Sequence, residues 1–219
     1  MVSVREPAAV ELRIERLASQ GEGLASGPDG PVHVPFALPG ELVRAVIEGD
    51  RGTMTEMIEP APERVQPVCP HFGRCGGCVL QHASIAATAA FKRDLVQRAF
   101  AQRGLPDVAV EAVNTAPLGS RRRAVLVAMR TASGIVLGYH ESRSERVVPI
   151  EACPVLRPAI VAAFPAIRSV LEPLLPRRGR AQVTVIETPA GLDVAVSGLG
   201  ADPEAQRRAA AAAVLARAP

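Results

Sequence analysis

Cys69-Pro-His-Phe-Gly-Arg-Cys75-Gly-Gly-Cys78-Val-Leu-Gln-His82 carries three of the four cysteines in this 219-residue chain; the fourth, Cys153, stands far downstream and is followed by Pro154. Three thiols closely spaced around two glycines, with a distant fourth, suggest a metal or iron–sulfur site. The stretch also divides the chain. The segment on its N-terminal side reads as a small β module, and the segment on its C-terminal side as an α+β module.

Upstream, Val10-Glu-Leu-Arg-Ile-Glu-Arg-Leu17 alternates with period two, placing Val10, Leu12 and Ile14 on one face of a strand. Gly21-Glu-Gly23 and Gly27-Pro-Asp-Gly30 are turn signals before Val32-His-Val34. Leu38-Pro-Gly40 leads into Glu41 to Ile47, and Gly49-Asp-Arg-Gly52 into Thr53 to Ile58. Short strands at this spacing predict a compact OB-type barrel. Pro60-Ala-Pro62 and Pro67 form a linker.

Downstream, Ser84 is placed to cap a helix through Phe91, Leu95, Val96 and Phe100, ending near Gly104. Val108 to Val113 is expected to be a strand. Arg121 to Met129 and Ile135 to Tyr139 read as a hairpin turned by Ser133-Gly134, and Arg180 to Glu187 and Leu192 to Ser197 as a second one. Between the hairpins, Val147 to Ile150 precedes Cys153, and Pro154 suits the first turn of a helix running to about Leu175. An alanine-rich helix is expected at the end of the chain. Hairpins with interspersed helices make this part α+β with an antiparallel sheet. The expected division is a barrel over 1–62, a cysteine-rich loop over 63–83 and an α+β domain over 84–219.

Charge is unevenly spread. Residues 1–66 carry six Lys/Arg against eleven Asp/Glu, and residues 67–219 nineteen against eleven, so an anionic partner should prefer the second part. Lys92 is the only lysine. Residues 120–180 hold eleven arginines against four acids. Arg121, Arg122 and Arg123 at a strand's leading end, with Arg143, Arg146, Arg177, Arg178 and Arg180 on turns, could form a patch for phosphates. The competing reading is a solvated face whose alternate arginines point opposite ways. With no tryptophan, one tyrosine and five phenylalanines, recognition based mainly on stacking is disfavoured. No signal-peptide core and no membrane-length apolar stretch is present, so a cytoplasmic monomer with reduced thiols is expected.

Cys75 and Cys78 can present two thiolates from one short loop, with Cys69 closing it; Gly76 and Gly77 let backbone N–H groups approach the sulfurs. Zinc competes, although its Cys₄ sites usually show two short Cys-x-x-Cys knuckles where this chain has one. His71 and His82 are further potential ligands. A disulfide or four unrelated buried thiols also remain open.

Cys69-x₅-Cys75-Gly-Gly-Cys78-x-x-Gln81-His82 with the distant Cys153-Pro154 resembles the [4Fe–4S] motif of the RNA (uracil-5-)-methyltransferases, and most closely their bacterial 23S ribosomal RNA branch. The β module is similar to that family's TRAM barrel through Gly21-Glu-Gly23 and Val34-Pro-Phe-Ala-Leu-Pro-Gly-Glu41. Ser120-Arg-Arg-Arg123, Gly138-Tyr139 and Val147 to Val155 extend the likeness. The resemblance implies a [4Fe–4S] cluster on Cys69, Cys75, Cys78 and Cys153, an RNA-binding central domain and a ribosomal RNA substrate. It also implies S-adenosylmethionine, bound by a further catalytic domain with a nucleophilic cysteine that attacks uracil C6. No Gly-x-Gly-x-x-Gly loop and no fifth cysteine occurs here, so no catalytic residue is assigned and this portion should be inactive alone. The alternatives are a stand-alone RNA-binding protein stabilised by zinc or a cluster, and a redox module.

Overall fold

The computed structural model describes residues 9–199. It is rich in sheet, with two sheets and few helices, and resolves into two units. Unit 1 comprises residues 1–67 and 78–115; unit 2 comprises residues 68–77 and 116–219. This differs from the expected division into 1–62, 63–83 and 84–219. The boundary runs through the cysteine stretch, between Gly77 and Cys78, and residues 78–115 group with the β module.

In unit 1 six strands form one sheet in the order β1-β5-β6-β4-β3-β2. They are β1 (Ala9–Arg13), β2 (Arg16–Leu17), β3 (Gly23–Gly27), β4 (Gly30–Val34), β5 (Leu42–Glu48) and β6 (Arg51–Glu59). The pairings are antiparallel except β4 with β6, joined in parallel at His33 and Arg51. The core is small and aliphatic, with Leu12, Ile14, Val32, Val34, Val43 and Ala45 all buried. Gly23 is required by packing: a Cβ there would lie 2.9 Å from the Ala37 carbonyl oxygen and 2.9 Å from Ile14 Cγ2. Helix α1 (Ile85–Ala101) starts where the sequence indicates, with the Ser84 hydroxyl accepting from the Ala87 amide at 3.1 Å, and none of its residues is buried.

A buried carboxylate ties this unit together. Glu41 is fully buried and accepts from the Leu38 amide at 2.7 Å and the Ala61 amide at 3.2 Å. Arg64 grips it with two nitrogens, at 2.5 and 2.7 Å, and donates to the Phe36 carbonyl at 2.8 Å. His82, also buried, meets the Phe36 ring edge-on with centroids 6.2 Å apart. Burial, the largest influence on Glu41, favours its neutral form, but Arg64 and the two amides together hold the pKa below the ordinary value. Burial, assisted by the Arg64 charge and opposed by that of Glu41, pushes His82 down to about 4.

In unit 2 a five-stranded sheet runs β11-β10-β7-β8-β9, antiparallel throughout. Its elements are β7 (Arg123–Thr131), β8 (Gly134–His140), β9 (Val147–Pro149), α2 (Pro158–Ala162), α3 (Phe164–Leu171), β10 (Arg180–Thr188) and β11 (Gly191–Ser197). Alternation decides the buried face: Ala124, Leu126 and Ala128 of β7 and Ala181, Val183 and Val185 of β10 turn inward onto Ile160, Phe164, Ile167 and Leu171. Gly138 has no substitute, because a Cβ there would lie 1.9 Å from the Val148 carbonyl oxygen.

Two local expectations differ from the structure. Residues 108–113 form no strand; their apolar alternation has no pairing partner. The helix expected from Pro154 to about Leu175 is two shorter ones, each with proline in its first turn, at Pro158 and Pro165. The alanine-rich final helix lies outside the described residues.

Glu41→Gln leaves the Arg64 charge without its compensating carboxylate and is expected to lower the unfolding free energy by about 3 kcal/mol, read by urea denaturation. Glu41 has a depressed folded pKa, so its stabilisation is present above its unfolded pKa and lost as pH falls through the folded one. His82, ordinarily near 6.5, must stay neutral to remain buried, so it adds a loss as pH drops from about 6.5 toward 4. The melting temperature should therefore fall steadily between pH 7 and pH 4; a flat or rising profile would contradict this assignment.

Candidate nucleic-acid interface and thiol site

The cysteine loop of unit 2 is built by tight backbone turns. The Cys69 carbonyl accepts from the Phe72 amide at 3.1 Å, and the His71 carbonyl from Arg74 at 3.2 Å and Cys75 at 2.9 Å. Gly73, at φ 88°, supplies a conformation between them that other residues rarely take. The loop then lies along the end of β8. Cys75 bridges Glu141, and the Gly76 amide donates to the His140 carbonyl at 2.9 Å. A Cβ on residue 76 would sit 2.9 Å from that same oxygen, so only glycine permits this approach. The Gly77 amide points at the Cys75 sulfur, 3.4 Å away, as the two glycines imply.

Cys69, Cys75 and Cys153 all belong to unit 2, and Cys78 is the first residue of unit 1's second segment. All four are half-buried and none is in a disulfide. Cys75 and Cys153 pack against the unit 2 core. Among the described residues, no three His, Cys, Asp or Glu side chains are gathered as one metal ion would require. Within unit 2, an amide directed at the Cys75 sulfur is the kind of hydrogen bond that a metal- or cluster-bound thiolate receives. The two candidate histidines differ in setting: His71 lies in the loop, half-buried, and His82 is buried in unit 1 beside Phe36.

The eight candidate arginines do not form one patch. Arg121, Arg122 and Arg123 line one recess of about 640 Å³, together with Gly76, Gly77, Val125 and Tyr139. Strand register explains the assembly. Arg123 opens β7 opposite Ile186 of β10, the Arg122 carbonyl accepts from the Glu187 amide, and Arg121 bridges Leu156. Their side chains are exposed, and among the described residues none of the three is paired with a carboxylate. Arg180 begins β10 opposite Met129, at the other end of that ladder, and reaches Glu145 at 3.5 Å. Arg146 lies 3.8 Å from Glu141. Arg143 (φ 56°) and Arg178 (φ 62°) sit in left-handed turns, and Arg177 precedes the second of these.

The recess has two parts that sequence alone does not assign to RNA: the glycine pair and Tyr139. The signal is present, because the motif glycines and the chain's only tyrosine are both conspicuous. What joins them is strand pairing between distant segments, which spacing does not display. Among the described residues, no helix is long and apolar enough to cross a membrane.

No protein-family profile matches the chain. Curated proteins do. An uncharacterized RNA methyltransferase of Agrobacterium fabrum is 43% identical over 209 residues, 93% of this chain and 50% of that protein. One from Rhizobium meliloti is 44% identical over 210 residues, 92% of this chain and 50% of its own length. The 23S rRNA (uracil(1939)-C(5))-methyltransferase RlmD of Chromohalobacter salexigens is 36% identical over 192 residues, 84% of this chain and 40% of its own. The chain spans about half the length of the first two relatives. Sequence thus makes it a homologue of the RNA methyltransferases, including the 23S rRNA uracil-C5 enzymes, matched over the N-terminal part of their chains.

Proposed function

We propose that the chain is the RNA-recognition and iron–sulfur portion of an S-adenosylmethionine-dependent ribosomal RNA uracil-C5 methyltransferase. The observation that carries this reading is the match to named RNA methyltransferases over nearly the whole chain. The arginine recess of unit 2 supports it from the physical side: three guanidinium groups without carboxylate partners, among the described residues, are suited to phosphate oxygens. The partner is RNA, 23S ribosomal RNA by analogy with the RlmD relatives, met by a cytoplasmic monomer. Unit 1 is assigned a TRAM-like role.

Cys69, Cys75, Cys78 and Cys153 would hold a [4Fe–4S] cluster, whose contribution is a covalent cross-link between the loop and the segment before α2. Gly76 and Gly77 serve that site by letting the loop lie on β8 and by directing an amide at the Cys75 sulfur. Methyl transfer is assigned to the half of the relatives that this chain does not span, since all four cysteines here are claimed by the cluster. The 219 residues alone are not expected to methylate RNA.

Two experiments test the reading. Fluorescence anisotropy with a labelled 23S rRNA fragment should show binding that weakens with salt, with a log–log slope of about −2 for three phosphate contacts to single-stranded RNA. No binding at low salt would contradict it. Replacing a ligand should loosen unit 2, so Cys75→Ser purified without oxygen is expected to melt at least about 5 °C below wild type. An unchanged melt would show that the thiol loop carries no cluster important to the fold.

A further inference from the structure

The recess of unit 2 has two kinds of wall. Arg121, Arg122 and Arg123 contribute charge, and Val125 (39% exposed) and Tyr139 contribute apolar surface. No Asp or Glu lines it. Its volume, about 640 Å³, falls within the roughly 300–1,000 Å³ of ligand pockets. The remaining wall is Gly76-Gly77, the turn of the thiol loop itself.

We infer that this recess is a subsite for one unstacked nucleotide of single-stranded RNA, and that the thiol loop, as one of its walls, sets its grip. The inference rests on the RNA-binding reading above and deepens it. Three forked cations beside an aromatic and a valine match a phosphodiester joined to a flat, partly apolar base. Single-stranded RNA offers such splayed bases, whereas a duplex keeps them stacked.

The loop has little freedom to move away from the recess. Gly76 is held backbone to backbone on His140, and a Cβ there meets a carbonyl oxygen that no rotamer change can remove. A Cβ on Gly77 would lie 3.4 Å from the Cys75 sulfur and 3.7 Å from the Tyr139 ring. The glycine that lines the recess therefore directs its amide at the thiol and leaves room for no more than a methyl group before the aromatic wall. A displacement of this turn would move one wall of the recess.

Anisotropy with a fluorescein-labelled oligouridine and the full chain tests this. Arg122→Ala should weaken binding about fivefold and reduce the salt slope by about 0.7, one phosphate contact. Gly76→Ala should weaken binding by a similar factor with the slope retained, because it shifts a wall and removes no charge. Arg13→Gln, which removes a charge held by Glu59 in unit 1, should leave binding unchanged. Native-like melting of Gly76→Ala with wild-type affinity would overturn the inference while leaving RNA binding in place. Equal losses from Arg13→Gln and Arg122→Ala would do the same, by showing a general charge effect. If Gly76→Ala does not fold, the decisive variant is Tyr139→Ala, which removes the aromatic wall and no charge. It should weaken oligouridine binding at least about fivefold with the salt slope retained; wild-type affinity would overturn the inference. Absence of any RNA binding by wild type would remove the underlying reading as well.

Discussion

The contact between Gly76 and the His140 carbonyl is the constraint on which the arrangement of unit 2 turns. It places the Cys75–Gly77 turn beside the end of β8, where β7 and β8 are no longer paired. The position is available only because residue 76 has no Cβ. It sets the orientation of the Gly77 amide toward the Cys75 sulfur, the packing of Cys75 against the core and the shape of the neighbouring recess. The turn thereby becomes one wall of that recess.

Electrostatics separates the two units by a different route. In unit 1, Arg13, Arg44, Arg51 and Arg64 are each held by a glutamate, the last pair in a buried site. Those guanidinium groups are occupied, so net acidity is accompanied by local neutralisation. In unit 2, Arg157 and Arg168 are similarly held by Glu187 and Glu151, but Arg121 to Arg123 are not paired among the described residues. Arg16, Arg93, Arg98 and Arg103 of unit 1 also have no carboxylate partner among the described residues, so what sets Arg121 to Arg123 apart is that they line one recess.

Much of this is legible in the sequence. Period-two alternation locates the strands of both hairpins in unit 2, and Ser84 marks the start of α1 because its hydroxyl has an amide to cap. Gly21-Glu-Gly23 signals a turn, and the structure adds that Gly23 is needed for close packing on Ala37. Residues 108–113 mislead because alternation reports a possible face and says nothing about a strand to pair with. The grouping of α1 with the β module is hidden for a related reason: no residue of that helix is buried, so its pattern names no partner surface. The eight arginines are equal in sequence; only the register of β7 against β10 shows that Arg123 and Arg180 stand at opposite ends of a ladder.

The cysteine spacing carries the central proposal, that Cys69, Cys75, Cys78 and Cys153 hold an iron–sulfur cluster, and the named relatives support the RNA side of it alone. Iron and acid-labile sulfide content, with the visible spectrum, on protein purified without oxygen tests it most directly. The expected result is about four iron and four sulfide per chain with broad brown absorbance. Stoichiometric zinc without sulfide would contradict it.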